Sequence, residues 1–400
     1  MKILAIDDQQ LVLLPIKKRL NELGYEVIIE TTARKGLELF HALKPDLVIV
    51  DINMPEFSGL DIVKNIRQHD TNIPVMILSG NTQDDVIIKG FDLGANDYLK
   101  KPLSLNEVCV RVKRLIGVPG AEEYKKSDDQ IIIQQRCVGV VIPCYNEEDR
   151  LLNDEFIKFI KQNSGYHLCF VNDGSTDNTL NVLKELQKGR KDFISIYDCS
   201  ENGGKAEAVR LGMLHLSKRK ELDYIGFLDA DLSTDFSDFD DLVKTIETSD
   251  FHIVSGSRIS RMGANITKES ARKLISLTIN YIIKTILSMN FKDTQCGAKI
   301  FKRESLHIAF DRKFITRWIF DVEIFMRMKL HYGSSKAQSL ICEQPLKRWI
   351  HADGSKLSMK DSLKIGIQLA KIAWTYRRKP VELKAEKKQL KEDLNPFFQN

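Results

Sequence analysis

Two sets of residues in this 400-residue chain carry types and spacings that could do chemistry. The first set is Asp7-Asp8, Asp51, Ser79 and Lys101, each placed where a short apolar run stops. Three carboxylates gathered at one edge repel one another unless a cation sits among them. Mg²⁺ suits such a set, because it takes oxygen ligands and keeps waters that a phosphate can replace. Lys101 and the Ser79 hydroxyl would then hold the oxygens of a phosphoryl group on the Asp51 carboxylate.

The second set lies further along. Pro143 and Asn146-Glu147-Glu148 end an apolar run and put acids at a helix start, its positive end. Asn172-Asp173-Gly174-Ser175 ends the next run. Asn202-Gly203-Gly204-Lys205 is a flexible turn before a helix, where backbone N–H groups and a lysine suit a diphosphate. Asp229-Ala230-Asp231 follows a fourth run. Two carboxylates at i, i+2 can share one divalent ion, and that ion can neutralise a departing nucleoside diphosphate.

Positioning these groups takes strands that end on one edge. Residues 1–117 alternate apolar runs (Ile3–Ile6, Val27–Ile29, Leu47–Val50, Val75–Leu78, Asp97–Leu99) with amphipathic segments such as Leu11–Leu23 and Ala33–Leu43. That alternation implies an α/β unit with a five-stranded parallel sheet, helices on both faces, and functional groups at the strand C-termini. Ser104 and Glu107 read as a capping box before Val108–Ile116. Residues 118–136, with Pro119-Gly120 and a charged run, read as a linker. A second alternation occupies 137–380, with strands at Val138–Ile142, His167–Val171, Ile194–Asp198, Tyr224–Leu228 and His252–Ser255, then a mostly helical stretch after 265. Residues 381–400 read as a polar tail.

The first unit resembles the receiver domain of bacterial response regulators. Asp7-Asp8, DINMPEFSG at 51–59, Ser79-Gly80 and DYLKKP at 97–102 carry the likeness. The resemblance implies a flavodoxin-like fold in which Asp51 accepts phosphate from a sensor histidine kinase. Asp7, Asp8, Asp51 and the Asn53 carbonyl would bind Mg²⁺. Ser79 and Tyr98 would be the switch residues, with Lys101 at the phosphate. Such a domain could also serve as a homodimer scaffold.

The second unit resembles glycosyltransferase family 2, a GT-A (Rossmann-like) enzyme fold. The resemblance implies a UDP-sugar donor, with Pro143, Tyr145, Glu147 and Asp173 around the nucleoside and Lys205 near the base or diphosphate. Asp229 and Asp231 would hold Mg²⁺ or Mn²⁺. Later motifs, GSR at 256–258, DTQCGAKIFKR at 293–303, RWIFDVEIF at 317–325 and Trp349 with Gly354-Ser355-Lys356, look like the dolichyl-phosphate β-glucosyltransferase and polyprenyl-phosphate branch. There the acceptor is a lipid phosphate, and Arg258, Arg272 and Ser276 match the positions that hold it. Two guanidinium forks suit a phosphate monoester. Asp293 and Gln295 would shape the acceptor site, and Asp321 and Glu323 would sit near the reaction centre. Asp231, Arg258 and Asp321 are thus the catalytic candidates. A lipid phosphate needs no base. A glycan or protein hydroxyl would, and Asp321 is then the candidate. In-line displacement inverts the anomeric carbon, and glucose is the family's sugar. A nucleotide-sugar sensor with a degenerate transferase unit is the rival from another class.

Composition sets limits. Hydrophobic residues at 43% and charged residues at 29% exclude wholesale disorder. A net charge of +5 is too small to argue for nucleic acid, and no helix-turn-helix pattern follows the linker. Seven cysteines without a CxxC fit a reducing cytosol better than a disulfide scaffold. The N-terminal MKILAIDD reads as a strand and not as a signal peptide. No uncharged run reaches the roughly 18 residues of a membrane span. The last fifty residues hold 11 basic and 6 acidic side chains. Lys356, Lys360, Lys364, Lys371 and Arg378 fall on one helical stripe. That stripe is either a solvated face or a peripheral contact with anionic lipid at the inner face of the membrane. Residues 272–290 are apolar on more than one face, as in a core helix or one lying on a bilayer.

Overall fold

The computed structural model describes residues 1–55, 57–80, 84–119, 132–258, 279, 281–347 and 359–378. In the first unit, β1 (Lys2–Ile6), β2 (Glu26–Glu30), β3 (Leu47–Asp51), β4 (Val75–Ser79) and β5 (Asp97–Lys100) form a parallel sheet in the order β2-β1-β3-β4-β5. This is the flavodoxin-like order, whose direction reverses between β1 and β3. Asp7-Asp8 and Asp51 stand at that reversal. Strands β3 and β4 are buried throughout, because helices cover both faces, so their sequences LVIVD and VMILS read as continuous apolar runs.

The second sheet is mixed. Its order is β13-β11-β12-β10-β7-β8-β9, from β7 (Ile132–Cys144), β8 (Asn163–Asn172), β9 (Ile194–Asp198), β10 (Tyr224–Leu228), β11 (Ile253–Ser257), β12 (Ala298–Lys302) and β13 (Ile341–Pro345). Strands β10, β7, β8 and β9 run parallel, and β12 lies antiparallel between β10 and β11. The mostly helical reading after residue 265 therefore missed β12 and β13. Both are five-residue strands without an alternating pattern, which periodicity cannot separate from helix.

The two units are joined more closely than the linker reading implies. A short strand β6 (Leu103–Ser104) pairs with the start of β7, placing Leu103 opposite Ile133. Thus β7 already begins inside the stretch read as linker, while residues 120–131 lie outside the described residues, as do the tail 381–400, Trp349 and Gly354–Lys356. Ser104 spends its backbone in β6 and makes no side-chain cap, and Glu107 binds Arg111 at 2.9 Å instead, so the expected capping box does not form.

Helix Gln10–Glu22 of the first unit packs on the second sheet and carries Pro15 inside it. A proline lacks the N–H that would satisfy the Leu11 carbonyl one turn back. Ser164 of β8 supplies that donor, Oγ to Leu11 O at 3.0 Å, in a buried contact. One apolar core runs through both units, from Leu11, Val12 and Ile16 to Cys137, Val141 and Phe227. Among the described residues, no helix is long and apolar enough to cross a membrane. Helix Met359–Arg378 buries Leu369 and Ile372, while Lys371, Ile367 and Trp374 are exposed.

Candidate functional site

At the edge of the first sheet, Lys101 reaches in from the end of β5. Its Nζ lies 2.6 Å from Asp7 Oδ2 and 2.9 Å from Asp51 Oδ1, and all three side chains are buried. Asp51 Oδ2 accepts the Asn53 N–H at 2.8 Å, and Asp7 Oδ1 accepts the Gln9 N–H at 2.9 Å. Gly59 makes the turn after Asp51 possible, because a Cβ there would come within 2.0 Å of the Asp51 carbonyl oxygen. Burial pushes Asp7 up to about 7, with Lys101 opposing and Asp51 adding repulsion. Burial and the Asp51 charge push Asp8 up to about 6. Ser79 is fully buried at the end of β4, and Tyr98 is half-buried against the core on the other side of the sheet from Cys109 and Val112.

At the second sheet, direction reverses around β7. The reversal brings Pro143 and Tyr145 at the end of β7 beside Asp229 at the end of β10. Lys205 Nζ sits 2.6 Å from Asp229 Oδ1. Burial alone would lower this lysine, but Asp229, then Asp321 and Asp231, raise it. Asp231 Oδ1 accepts the Ser233 N–H at 3.0 Å and is exposed. Asp229 lies against the backbone of Gly297, where a Cβ would meet its Oδ2 at 2.0 Å. Glu147 is half-buried; burial raises it, and repulsion from Asp231 and Asp229 adds to that. Two residues with side chains adopt left-handed backbone at this edge, Asn146 (φ 52°) and Leu232 (φ 49°). Such conformations cost energy and gather at functional sites.

Asp321, from helix Phe320–Tyr332, is buried and pairs with Lys299 Nζ at 2.8 Å. Burial raises it, while Lys299 and Lys205 oppose. Lys299 is fully buried on β12 and also donates to the Cys296 carbonyl at 2.7 Å. Its place in the site was missed; the available signal is a lysine within the apolar run AKIF. Arg258 is clamped by Asp293, Nε to Oδ2 at 2.7 Å and Nη2 to Oδ1 at 2.8 Å. Burial would raise Asp293, but this fork holds it at about 2. The Gln295 N–H bonds the same carboxylate at 3.2 Å.

Two expectations change, and a third falls outside the described residues. The Gly203 and Gly204 N–H groups both point to Asp173, at 2.8 and 2.9 Å, so a buried carboxylate and not a diphosphate satisfies that turn. Glu323 does not join the reaction centre. It accepts the Ile315 and Thr316 N–H groups at 3.0 and 2.9 Å and so fixes the loop before its own helix. Arg272 and Ser276 lie outside the described residues.

Among the described residues, no three His, Cys, Asp or Glu side chains close into a metal cage. Mg²⁺ does not require one, since one or two carboxylates with waters and phosphate oxygens complete its shell. The donor sets fit that chemistry. The Asp51 charge raises the cost of ionising both Asp7 and Asp8, and Asp229 with Asp231 offers two hard oxygens at a strand end.

The fold defines a flavodoxin-like, receiver-type α/β unit joined to a Rossmann-like α/β unit, each with acidic residues at one edge of its sheet. Family models agree: the response regulator receiver domain matches residues 3–113, and glycosyl transferase family 2 matches residues 139–308. The dolichyl-phosphate beta-glucosyltransferase of Dictyostelium discoideum is 33% identical over 267 residues, 63% of this chain and 76% of that protein. The protein of the same name from Saccharomyces cerevisiae is 32% identical, covering 69% and 83%. The alkaline phosphatase synthesis transcriptional regulatory protein PhoP of Bacillus subtilis is 31% identical over 138 residues, 33% of this chain and 58% of PhoP. The chain belongs to glycosyltransferase family 2 and is a glycosyltransferase that carries a response regulator receiver domain at its N-terminal end.

Proposed function

We propose that this enzyme moves glucose from UDP-glucose to a polyprenyl-type lipid phosphate with inversion, under control of Asp51 phosphorylation. The observation that carries the transfer is the cluster at the ends of β7 and β10, where Lys205, Asp229, Asp231 and Asp321 lie within electrostatic reach of one another. Asp229 and Asp231 would hold Mg²⁺ or Mn²⁺, which supplies charge neutralisation at the diphosphate. Lys205 places a second positive charge on the leaving group. A lipid-phosphate oxygen attacks the anomeric carbon as the bond to the UDP oxygen breaks, and no proton has to leave the nucleophile. Arg258, oriented by Asp293, brings positive charge to the acceptor side. Asp321 is already tied to Lys299, which favours a phosphate acceptor over a hydroxyl that needs a base.

In the receiver, Asp7, Asp8, Asp51 and the Asn53 carbonyl would hold Mg²⁺, and a sensor histidine kinase would supply the phosphoryl group. Ser79 and Tyr98 would respond to it. Exposed Ile88, Phe91 and Val110 on two receiver helices support self-association. Exposed Lys371, Ile367 and Trp374 support contact with a membrane surface.

Purified full chain with Mg²⁺ or Mn²⁺, UDP-glucose and polyprenyl phosphate should release UDP and yield a glucosylated lipid phosphate. Asp229→Asn should abolish both. Transfer to a glycan or protein hydroxyl with none to lipid phosphate would overturn the acceptor assignment. Nucleotide-sugar binding without any turnover would favour a sensor.

A further inference from the structure

The phosphoacceptor pocket of the receiver is not built by the receiver alone. A cavity of about 40 Å³ at this edge is lined by Asp8, Gln9, Asp51, Gly80 and Lys101, and also by Arg136 and Asp223 of the transferase unit. Gln9 follows the two acids directly, and its Nε2 donates to Asp223 Oδ2 at 2.8 Å. The same Asp223 oxygen accepts the Cys137 N–H at 3.0 Å. Arg136 Nη1 stands 3.8 Å from Asp223 Oδ1, too far for a tight bond, and its side chain is 43% exposed. The Asp223 charge also bears on Asp8.

Arg136 lies on β7 and Asp223 immediately precedes β10. These strands are parallel neighbours, with Val138 opposite Tyr224. Their other ends carry Tyr145 and Asp229. From Asp223 to Asp229 the chain runs about 20 Å at about 3.3 Å per residue. The two strands that wall the phosphoacceptor pocket at one edge of the sheet therefore hold the donor-site residues at the other.

We propose that the phosphoryl group on Asp51 is bound in part by the transferase unit's Arg136, which leaves Asp223 for it, and that the exchange shifts the β7–β10 pair. Turning the Asp51 carboxylate into an acyl phosphate replaces one negative charge with nearly two and extends them into a pocket already facing Asp223. Repulsion loosens the Gln9–Asp223 bond, while the Arg136 fork gains three phosphoryl oxygens as acceptors. No covalent step beyond phosphorylation of Asp51 is required. Because packed interfaces switch between discrete arrangements and do not deform smoothly, a local exchange here is read as a shift of two whole strands. The inference rests on Asp51 being the phosphoacceptor.

The test uses the full chain, Mg²⁺ and acetyl phosphate, with three readouts: phosphoprotein by intact mass, its decay after donor removal, and hydrogen exchange over residues 132–144 and 223–228. Wild type should acquire phosphate and change its exchange in both strands. Arg136→Ala should still be phosphorylated but lose the phosphoryl group several-fold faster and show no strand response. Arg136→Lys should recover part of both, and Asp223→Asn should slow the decay. Equal decay and an equal exchange response in wild type and Arg136→Ala would overturn the role of Arg136 while leaving Asp51 as acceptor. A wild type that takes no phosphate, or takes it equally well as Asp51→Asn, would overturn the acceptor reading and this inference with it.

Discussion

Replacing Gly297 by alanine should damage the donor site while sparing the fold. A Cβ built at Gly297 lies 2.0 Å from Asp229 Oδ2 and 2.3 Å from its Cγ. Carbon contacts shorter than 3.0 Å do not persist, so the carboxylate must retreat by about 1 Å. It has little room, because Lys205 holds its other oxygen at 2.6 Å and the Asp229 N–H is bonded to the Gly297 carbonyl at 3.1 Å. A misplacement of about 1 Å at a reacting group costs on the order of 10²-fold in rate, or about 2.7 kcal/mol in the barrier. Overpacking at one site costs about 1–3 kcal/mol of stability. The assay is the initial rate of UDP release across a Mn²⁺ titration, with thermal unfolding alongside. The expected outcome is a folded protein with kcat/KM down about a hundredfold and a weaker metal midpoint. Gly366→Ala is the control, since nothing lies within 4 Å of that position on helix Met359–Arg378. A folded Gly297→Ala with wild-type kcat/KM and an unchanged metal midpoint would refute the placement of Asp229 as a donor-site ligand.

Three further outcomes follow from buried polar groups. Lys299→Met should destabilise the protein by about 3–5 kcal/mol in denaturant unfolding, because Asp321 is left buried without its partner; adding Asp321→Leu should recover most of the loss. Ser164→Ala should cost about 1–3 kcal/mol, since Pro15 leaves the Leu11 carbonyl with no other helix donor, and unchanged stability would show that water replaces the hydroxyl. The Asp293–Arg258 pair sets an acid limit. Asp293 is held at about 2 against an ordinary 3.8, so its contribution is complete above about 4 and disappears as pH falls toward 2. That contribution is about 2 kcal/mol at neutral pH by linkage. Arg258→Ala should flatten the stability profile between those pH values, and a slope equal to wild type would count against the pairing.

Much of the receiver was legible because β1, β3, β4 and β5 run straight into or end on the residues singled out for chemistry, Asp7, Asp51, Ser79 and Lys101. The buried runs LVIVD and VMILS need no partner information to be read as central parallel strands, and their last residues, Asp51 and Ser79, reach the edge by geometry alone. The same holds for Asp229 after β10. Strands β12 and β13 were not legible, because five residues without a clean apolar–polar alternation fit a helix equally well. Glu323 was misassigned for a related reason. Its spacing from Asp321 says that both lie on one helix, but only the fold says that Asp321 meets Lys299 while Glu323 turns to Thr316.

What the sequence determined by itself was the order of strands and helices as far as β11, the two acidic edges and the likeness to two families. Those depend on local pattern, on residues within a few positions of one another. What only the tertiary structure decided was pairing across long separations. Asp173 takes the Gly203 and Gly204 N–H groups, Gly297 makes room for Asp229, and Ser164 satisfies Leu11 from 153 positions away. The linker boundary belongs here too, because β6 and β7 recognise each other through backbone hydrogen bonds that leave little trace in side-chain type. So does the meeting of Gln9 with Asp223, which turns two adjacent domains into one pocket. A buried donor or acceptor must find a partner wherever the fold brings one, and no spacing rule along the chain records which one that is.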